Sequence, residues 1–250
     1  MTTPRIYLPR LLETGTICAA APDQARYLGT VLRMKEGDPL LIFNGTDWEY
    51  EAVIRSQNAE GTELEITGRK RLPASGIHVT LCQAIPKAEK MEGIIRHATE
   101  LGVERIIPFL AERSVPRWRP EQLPHKQERW QKIAVDAARQ SGRTDIPEVG
   151  EIVSFERMVQ TAPECGLRLI PWEEESATGL RDILHDPARA GVTEFSLAIG
   201  PEGGFSVGEV DLARQAGFLS VSLGRRVLRV ETASLAVIAI LQYEKGDRNA

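Results

Sequence analysis

Cysteine, histidine and unbroken apolar sequence are all scarce in this chain, and each scarcity removes a class of explanation. Three cysteines, Cys18, Cys82 and Cys165, occur among 250 residues. Their number is odd and they lie far apart, so neither a disulfide framework nor a zinc spacing is present and reduced thiols are expected. The four histidines are scattered, and no metal site is expected. No run of about 18 apolar residues exists, so no membrane-spanning helix is expected. The opening Met1-Thr-Thr-Pro-Arg5 lacks the apolar core of an export signal, which makes a cytoplasmic location the expectation. No lysine follows a glycine turn as in a P-loop, and no Gly-x-Gly-x-x-Gly occurs. Nucleoside triphosphate hydrolysis and dinucleotide binding therefore find no support.

What is there is ordinary globular sequence, 42% apolar and 26% charged, enough to bury a core in one large domain or two modest ones. The net charge of −4 argues at first against a nucleic-acid partner. Its distribution argues otherwise. Residues 113–143 carry eight Lys/Arg against three Asp/Glu, and residues 145–194 carry four against eleven. The total averages a basic block, which can face RNA, with an acidic one; two solvated helix faces are the plain alternative.

The chain is organised around Ile199-Gly-Pro-Glu-Gly-Gly-Phe-Ser206. It follows a short apolar strand at Phe195–Ala198, and its glycines permit a tight turn and close backbone approach. Ser206 with Glu209 is a capping box, so a helix is predicted to start there. Strand, glycine turn and helix start together make a ligand-binding loop at a strand's C-terminal end. A second such unit follows: an apolar strand at Phe218–Leu223, Gly224, three arginines at 225, 226 and 229, and a helix from Glu231 to Tyr243. Thr232 or Glu231 is the expected cap. Two adjacent strand ends are thus predicted to deliver glycine-containing loops to one crevice.

These segments, Ile199–Ser206 and Leu223-Gly-Arg-Arg-Val-Leu-Arg-Val-Glu-Thr-Ala233, resemble the RsmE family of the SPOUT superfamily. Its members methylate N3 of a uridine in 16S ribosomal RNA with S-adenosylmethionine. The resemblance extends over nearly the whole chain. It implies an α/β fold: a C-terminal trefoil-knotted, parallel-sheet SPOUT methyltransferase domain over 73–250, and a small N-terminal PUA-like β-barrel over 1–72. It also implies a homodimer and a substrate that is 16S rRNA or the small ribosomal subunit.

From the N-terminus, Leu40–Phe43, an Asn44-Gly45 turn and an alternating run to Ile54 read as a hairpin. Glu63–Thr67 is a further strand, Ala25–Met34 a helix-like stretch, and Arg71–Gly76 the linker. Pro4–Tyr7, Val31–Arg33 and Gly37-Asp38 match the family, whereas Tyr27 stands where a histidine is expected. His78–Ala84 is a strand, Pro86–Leu101 a helix stopped by Gly102, and Val103–Phe109 a strand, an order that implies a parallel pair. Lys87 and Lys90–Glu92 match the family; His97 replaces a usual lysine and reads as an exposed helix residue. A helix is predicted over Pro124–Gln140, with Trp130 in the core. Leu167–Trp172 is the next strand, followed by Glu173–Glu175 and a helix near Thr178–His185.

On the resemblance, RNA contacts fall to Arg5, Arg10, Arg33, Lys87, Arg113, Arg139, Gln140 and Arg143, because arginine grips phosphate with a planar fork. The methyl donor falls to Pro171, Ile199, Gly200, Pro201, Glu202, Gly203, Gly204, Leu223, Gly224, Leu228, Thr232 and Ala233. Methyl transfer is an in-line displacement, so positioning supplies most of the rate. Uracil N3 must lose its proton. Arg229 is expected to stabilise the developing uracil oxyanion; Glu202 or Glu231 is either the base or a helix and loop anchor. A SPOUT enzyme for another RNA position and a non-enzymatic RNA-binding assembly protein are the alternatives.

Overall fold

The computed structural model describes residues 3–58, 61–72, 76–115, 118–164 and 166–246. Arg117, Cys165, the middle of the predicted linker and the end of the polar tail lie outside the described residues. The chain divides into two units, Met1–Ala74 with Ala138–Ile146, and Ser75–Ala137 with Pro147–Ala250.

The first unit is built on a five-stranded sheet of order β1-β3-β4-β5-β2. Its elements are β1 (Arg5–Tyr7), β2 (Ile17–Ala19), α1 (Pro22–Arg26), β3 (Pro39–Phe43), β4 (Trp48–Asn58) and β5 (Gly61–Arg71). The predicted helix-like stretch begins earlier than expected, at Pro22, and continues from α1 as a π-helical turn over Tyr27–Val31. Side chains alternate along β4, so Tyr50, Ala52 and Ile54 point inward. There they meet Leu40, Ile42, Leu64 and Ile66 in one apolar core with Leu28. The hairpin exists, but its loop is four residues long, Asn44 to Asp47. Thr46 Oγ1 donates to Asn44 Oδ1 at 2.6 Å and stabilises the wider turn.

The second unit carries β6 (His78–Ala84), α2 (Lys90–Glu100), β7 (Arg105–Leu110) and most of α3 (Leu123–Ser141). It continues with β8 (Glu148–Val149), β9 (Val153–Ser154), α4 (Phe155–Thr161), β10 (Leu167–Pro171) and α5 (Leu180–Leu184). β11 (Glu194–Ile199), α6 (Val207–Gln215), β12 (Leu219–Val221) and α7 (Val230–Lys245) complete it. The sheet has seven strands, in the order β12-β10-β11-β6-β7-β8 with β9 also on β7, and every pairing is parallel. A parallel sheet is covered on both faces, and β6 and β11 accordingly read as nearly continuous buried runs.

Arg168 is the exception within β10, a buried cation on a buried strand. Its guanidinium donates to the carbonyls of Ala162, Pro163 and Ala216 and stacks over Phe218. Ala162 and Ala216 close α4 and α6, where the helix dipoles favour positive charge.

Three further expectations need correction. β11 and β12 are not neighbours, because β10 lies between them. Helix α2 starts at Lys90 rather than Pro86, since Ala88 has φ +56, which ends any helix around it. Neither Glu231 nor Thr232 caps α7: the N-cap is Arg229, without a side-chain capping bond, and both residues sit in the first turn.

Candidate active site

Ser206 and Glu209 form the predicted capping box at the start of α6. Glu209 Oε2 accepts from the Ser206 N–H at 2.9 Å, and Oε1 accepts from the Glu112 N–H at 2.8 Å. The box therefore also anchors the loop after β7. From that loop, Arg113 Nη1 donates to the Gly203 carbonyl at 2.9 Å. Arg113, expected on RNA, thus braces the glycine turn. The turn is closed by the Gly204 N–H donating to the Pro201 carbonyl at 2.9 Å. Gly204 has φ +68, and a Cβ there would strike the Glu173 carboxylate, so the turn packs directly on the loop after β10.

That loop is held by Glu175. Its Oε1 accepts from the Ala177 and Thr178 N–H groups at 2.9 and 3.2 Å, and its Oε2 accepts from Ser220 and Arg214. The Ser220 hydroxyl, then the Ala177 N–H, hold the Glu175 carboxyl below its ordinary value. Sequence reasoning assigned Glu173–Glu175 no such role, because Ser220 lies on β12 and only pairing of β12 with β10 brings it near.

Between the end of β10 and the loop before α7 lies a cavity of about 130 Å³. Five residues expected on the methyl donor line it: Pro171, Leu223, Gly224, Leu228 and Ala233. Trp172, Glu173, Ser222, Arg225, Arg226 and Val227 complete the wall. Ile199, Gly200, Pro201, Glu202, Gly203, Gly204 and Thr232 do not line it. Ile199 and Pro201 are buried, and Gly200 is pressed against Phe205, where a Cβ would lie 3.1 Å from the ring. Thr232 is exposed. On its other side the Ser222–Leu228 loop borders a larger cleft of about 660 Å³, floored by Leu184, Val237 and Ile240.

One feature of the smaller cavity leaves room for a ligand: Gly224, at φ +102, faces open space where any side chain would stand. Arg229 follows Leu228 directly; its side chain is exposed at the edge of the wall.

The two candidate bases are tied elsewhere. Lys90 Nζ lies 2.9 Å from Glu202 Oε1 and 3.3 Å from Glu231 Oε2. Both Glu202 oxygens also accept the Lys87 N–H, at 3.2 and 3.1 Å. Burial pushes the Glu202 carboxyl upward, but the bonds from Lys90 and the Lys87 N–H outweigh it and hold the group below its ordinary value. The bond to Glu202 in turn raises Lys90. Lys90 was legible only as part of a matching motif; its partners are more than a hundred residues away.

The remaining RNA candidates separate by environment. Arg5 Nε donates to Glu49 at 2.9 Å, and its other nitrogens donate to the carbonyls of Ala138, Arg139 and Arg143. It therefore stabilises the end of α3 as a C-terminal cation does. Arg139 stacks on the Tyr27 ring and donates to its hydroxyl at 3.1 Å, so Tyr27, found where a histidine was expected, serves as a packing surface. Arg143 is ion-paired with Asp145. Arg10 donates to the Ala19 carbonyl. Arg33, Lys87 and Gln140 are exposed.

One unit thus holds a parallel sheet whose strand ends and final loop close on a pocket beside an exposed arginine, and the other holds a small β-sheet. The chain matches the RNA methyltransferase domain over residues 73–242 and the RNA methyltransferase PUA domain over 21–66. It is 32% identical over 247 residues to the ribosomal RNA small subunit methyltransferase E of Bacillus subtilis (strain 168), with 95% of each chain covered. A methyltransferase from Legionella pneumophila, solved with the bound cofactor SAM, is 36% identical at a TM-score of 0.89, covering 99% of this chain and 100% of that one. The methyltransferase E of Neisseria gonorrhoeae, bound to S-adenosyl methionine, is 31% identical at a TM-score of 0.90, with coverage of 99% and 100%. This chain belongs to the ribosomal RNA small subunit methyltransferase E family.

Proposed function

We propose that the protein transfers the methyl group of S-adenosylmethionine to N3 of one uridine in 16S rRNA. The observation that carries this reading is the cavity between β10 and the Ser222–Leu228 loop, lined by five residues of the expected donor set and open in front of Gly224. Trp172, Pro171, Leu223, Gly224, Leu228 and Ala233 hold the donor there, and the bound donor supplies an electrophilic methyl on a sulfonium. The glycine turn supports this wall from behind through the packing of Gly204 on Glu173.

Arg229, next to Leu228 and unburied, meets the uracil carbonyl as the N3 proton leaves and negative charge develops on oxygen. Glu202 serves as an anchor instead of a base, since Lys90 and the Lys87 N–H already occupy its carboxylate. The target base is presented unpaired, because pairing hides N3. Exposed Arg33, Lys87 and Gln140 are the better-placed backbone contacts from the expected set.

The family resemblance adds a trefoil knot, with the chain passing from β11 across β10 to β12, and a homodimer using exposed Ile240 and Tyr243 of α7. No described helix is long and apolar enough to cross a membrane, and the reading places the enzyme with its rRNA in the cytoplasm. Mass mapping of small-subunit rRNA from a strain lacking the gene tests the reaction. One uridine is expected to lose its N3-methyl group, and a fully methylated rRNA would exclude the proposal. Calorimetry with S-adenosylmethionine is expected to show binding; a folded chain that binds none would leave only a non-enzymatic role.

A further inference from the structure

Three separated segments converge on one ammonium. Lys90 is the first residue of α2, Glu202 lies in the glycine turn after β11, and Glu231 lies in the first turn of α7. Each side chain is between a fifth and about a third exposed, so the cluster is shielded without being dry. Glu231 Oε2 is closed off from solvent and has Lys90 as its only counter-charge among the described residues. Removing Lys90 leaves two carboxylates facing one another, one of them buried at its oxygen, and like charges so placed separate.

The local backbone is arranged for this contact. Ala88 holds a left-handed conformation at φ +56, which is uncommon for a residue with a side chain. The Lys87 N–H before this bend and Lys90 Nζ after it both reach the Glu202 carboxylate. Glu202 is thereby fixed from two directions. Glu231, in turn, lies two residues from Arg229 and two from Ala233.

We propose that Lys90 is a positioning residue for methyl transfer: by bridging Glu202 and Glu231 it fixes the glycine turn relative to the start of α7, and with it Arg229 and the donor wall at Ala233. This inference rests on the donor site proposed above. Lys90 touches neither substrate; it sets the spacing of the groups that do. Two carboxylates require one shared cation of either shape, so arginine at position 90 retains the bridge and methionine does not.

The test compares wild type with Lys90→Met, Lys90→Arg, Glu231→Gln and the Lys90→Met/Glu231→Gln double variant in the full-length protein. The readouts are calorimetric affinity for S-adenosylhomocysteine, RNA affinity, and kcat with separate KM values for donor and RNA. Lys90→Met is expected to weaken the donor analogue about tenfold and to lower kcat about a hundredfold, the scale of an ångström-sized misplacement. Its RNA affinity is expected to stay near wild type, and Lys90→Arg to recover most of the loss. Losses in the double variant are expected to be strongly non-additive. A role in folding alone would lower the melting temperature without this split between donor and RNA. Should Lys90→Met fail to fold, Glu231→Gln, which keeps the volume, carries the same expectations. Wild-type donor affinity and kcat in a folded Lys90→Met, or strictly additive losses, overturn the inference while the donor site stands. A wild-type protein that binds no donor overturns both.

Discussion

The Ser234 hydroxyl donates to Gln83 Oε1 at 2.6 Å, and neither side chain has any exposed surface. This bond ties the first turns of α7 to the central strand β6 across 151 positions of sequence. Ser234 directly follows Ala233, so the bond also holds the backbone beside that cavity-lining residue. Ser234→Ala leaves the Gln83 carbonyl oxygen buried without this partner and is expected to cost about 1–3 kcal/mol. Chemical denaturation measures the cost, and an unchanged midpoint would remove the bond from the account.

Arg229→Ala removes the proposed oxyanion donor but no packing, since the side chain is exposed. Turnover is expected to fall by about a hundredfold or more. Affinity for S-adenosylhomocysteine is expected to stay within about threefold, because only the transition-state interaction is lost. Single-turnover methylation of small-subunit rRNA reads the first quantity and calorimetry the second. Wild-type turnover would take Arg229 out of the chemistry.

Glu202 gives the pH dependence. Its folded carboxyl lies below the ordinary value of 4.5 because the Lys90 and Lys87 bonds outweigh burial. The folded state then binds this proton more weakly than the unfolded chain, so the stabilisation is complete above the unfolded value and disappears as pH falls through the folded one. Wild type is expected to be more stable than Glu202→Gln at pH 7, with the gap closing on acidification below the ordinary carboxylate range. Melting curves at stepped pH check this; a gap that widens in acid would refute it.

Arg5 and Arg33 were both expected on RNA, and their surroundings now predict different outcomes. Arg5 is committed to Glu49 and to three carbonyls around the end of α3, so Arg5→Ala is expected to cost about 2–3 kcal/mol of stability. Arg33 is exposed, and Arg33→Ala is expected to leave melting unchanged. It should also lower the slope of log RNA affinity against log salt by about 0.7–0.9, the share of one phosphate contact. Equal melting temperatures for wild type and Arg5→Ala would contradict the first part, and an unchanged salt slope for Arg33→Ala the second.

Local sequence determined a good deal of this protein by itself. The alternating residues of β4, the apolar run of β6 and the Ser206–Glu209 capping box were all legible, because each depends on neighbours within a few positions. The paired glycine and arginine segments likewise marked the family, and the second of them holds most of the residues that line the cavity. What only the tertiary structure decided was which residues meet. β10 inserts between β11 and β12, so Pro171 and the Ser222–Leu228 loop share a cavity that the Gly200–Gly204 turn supports from outside. Lys90 lies between Glu202 and Glu231, and Arg5 lies against the end of α3, contacts that span much of the sequence. Sheet order and ion pairing are set by non-local packing and desolvation, which no short window of sequence encodes.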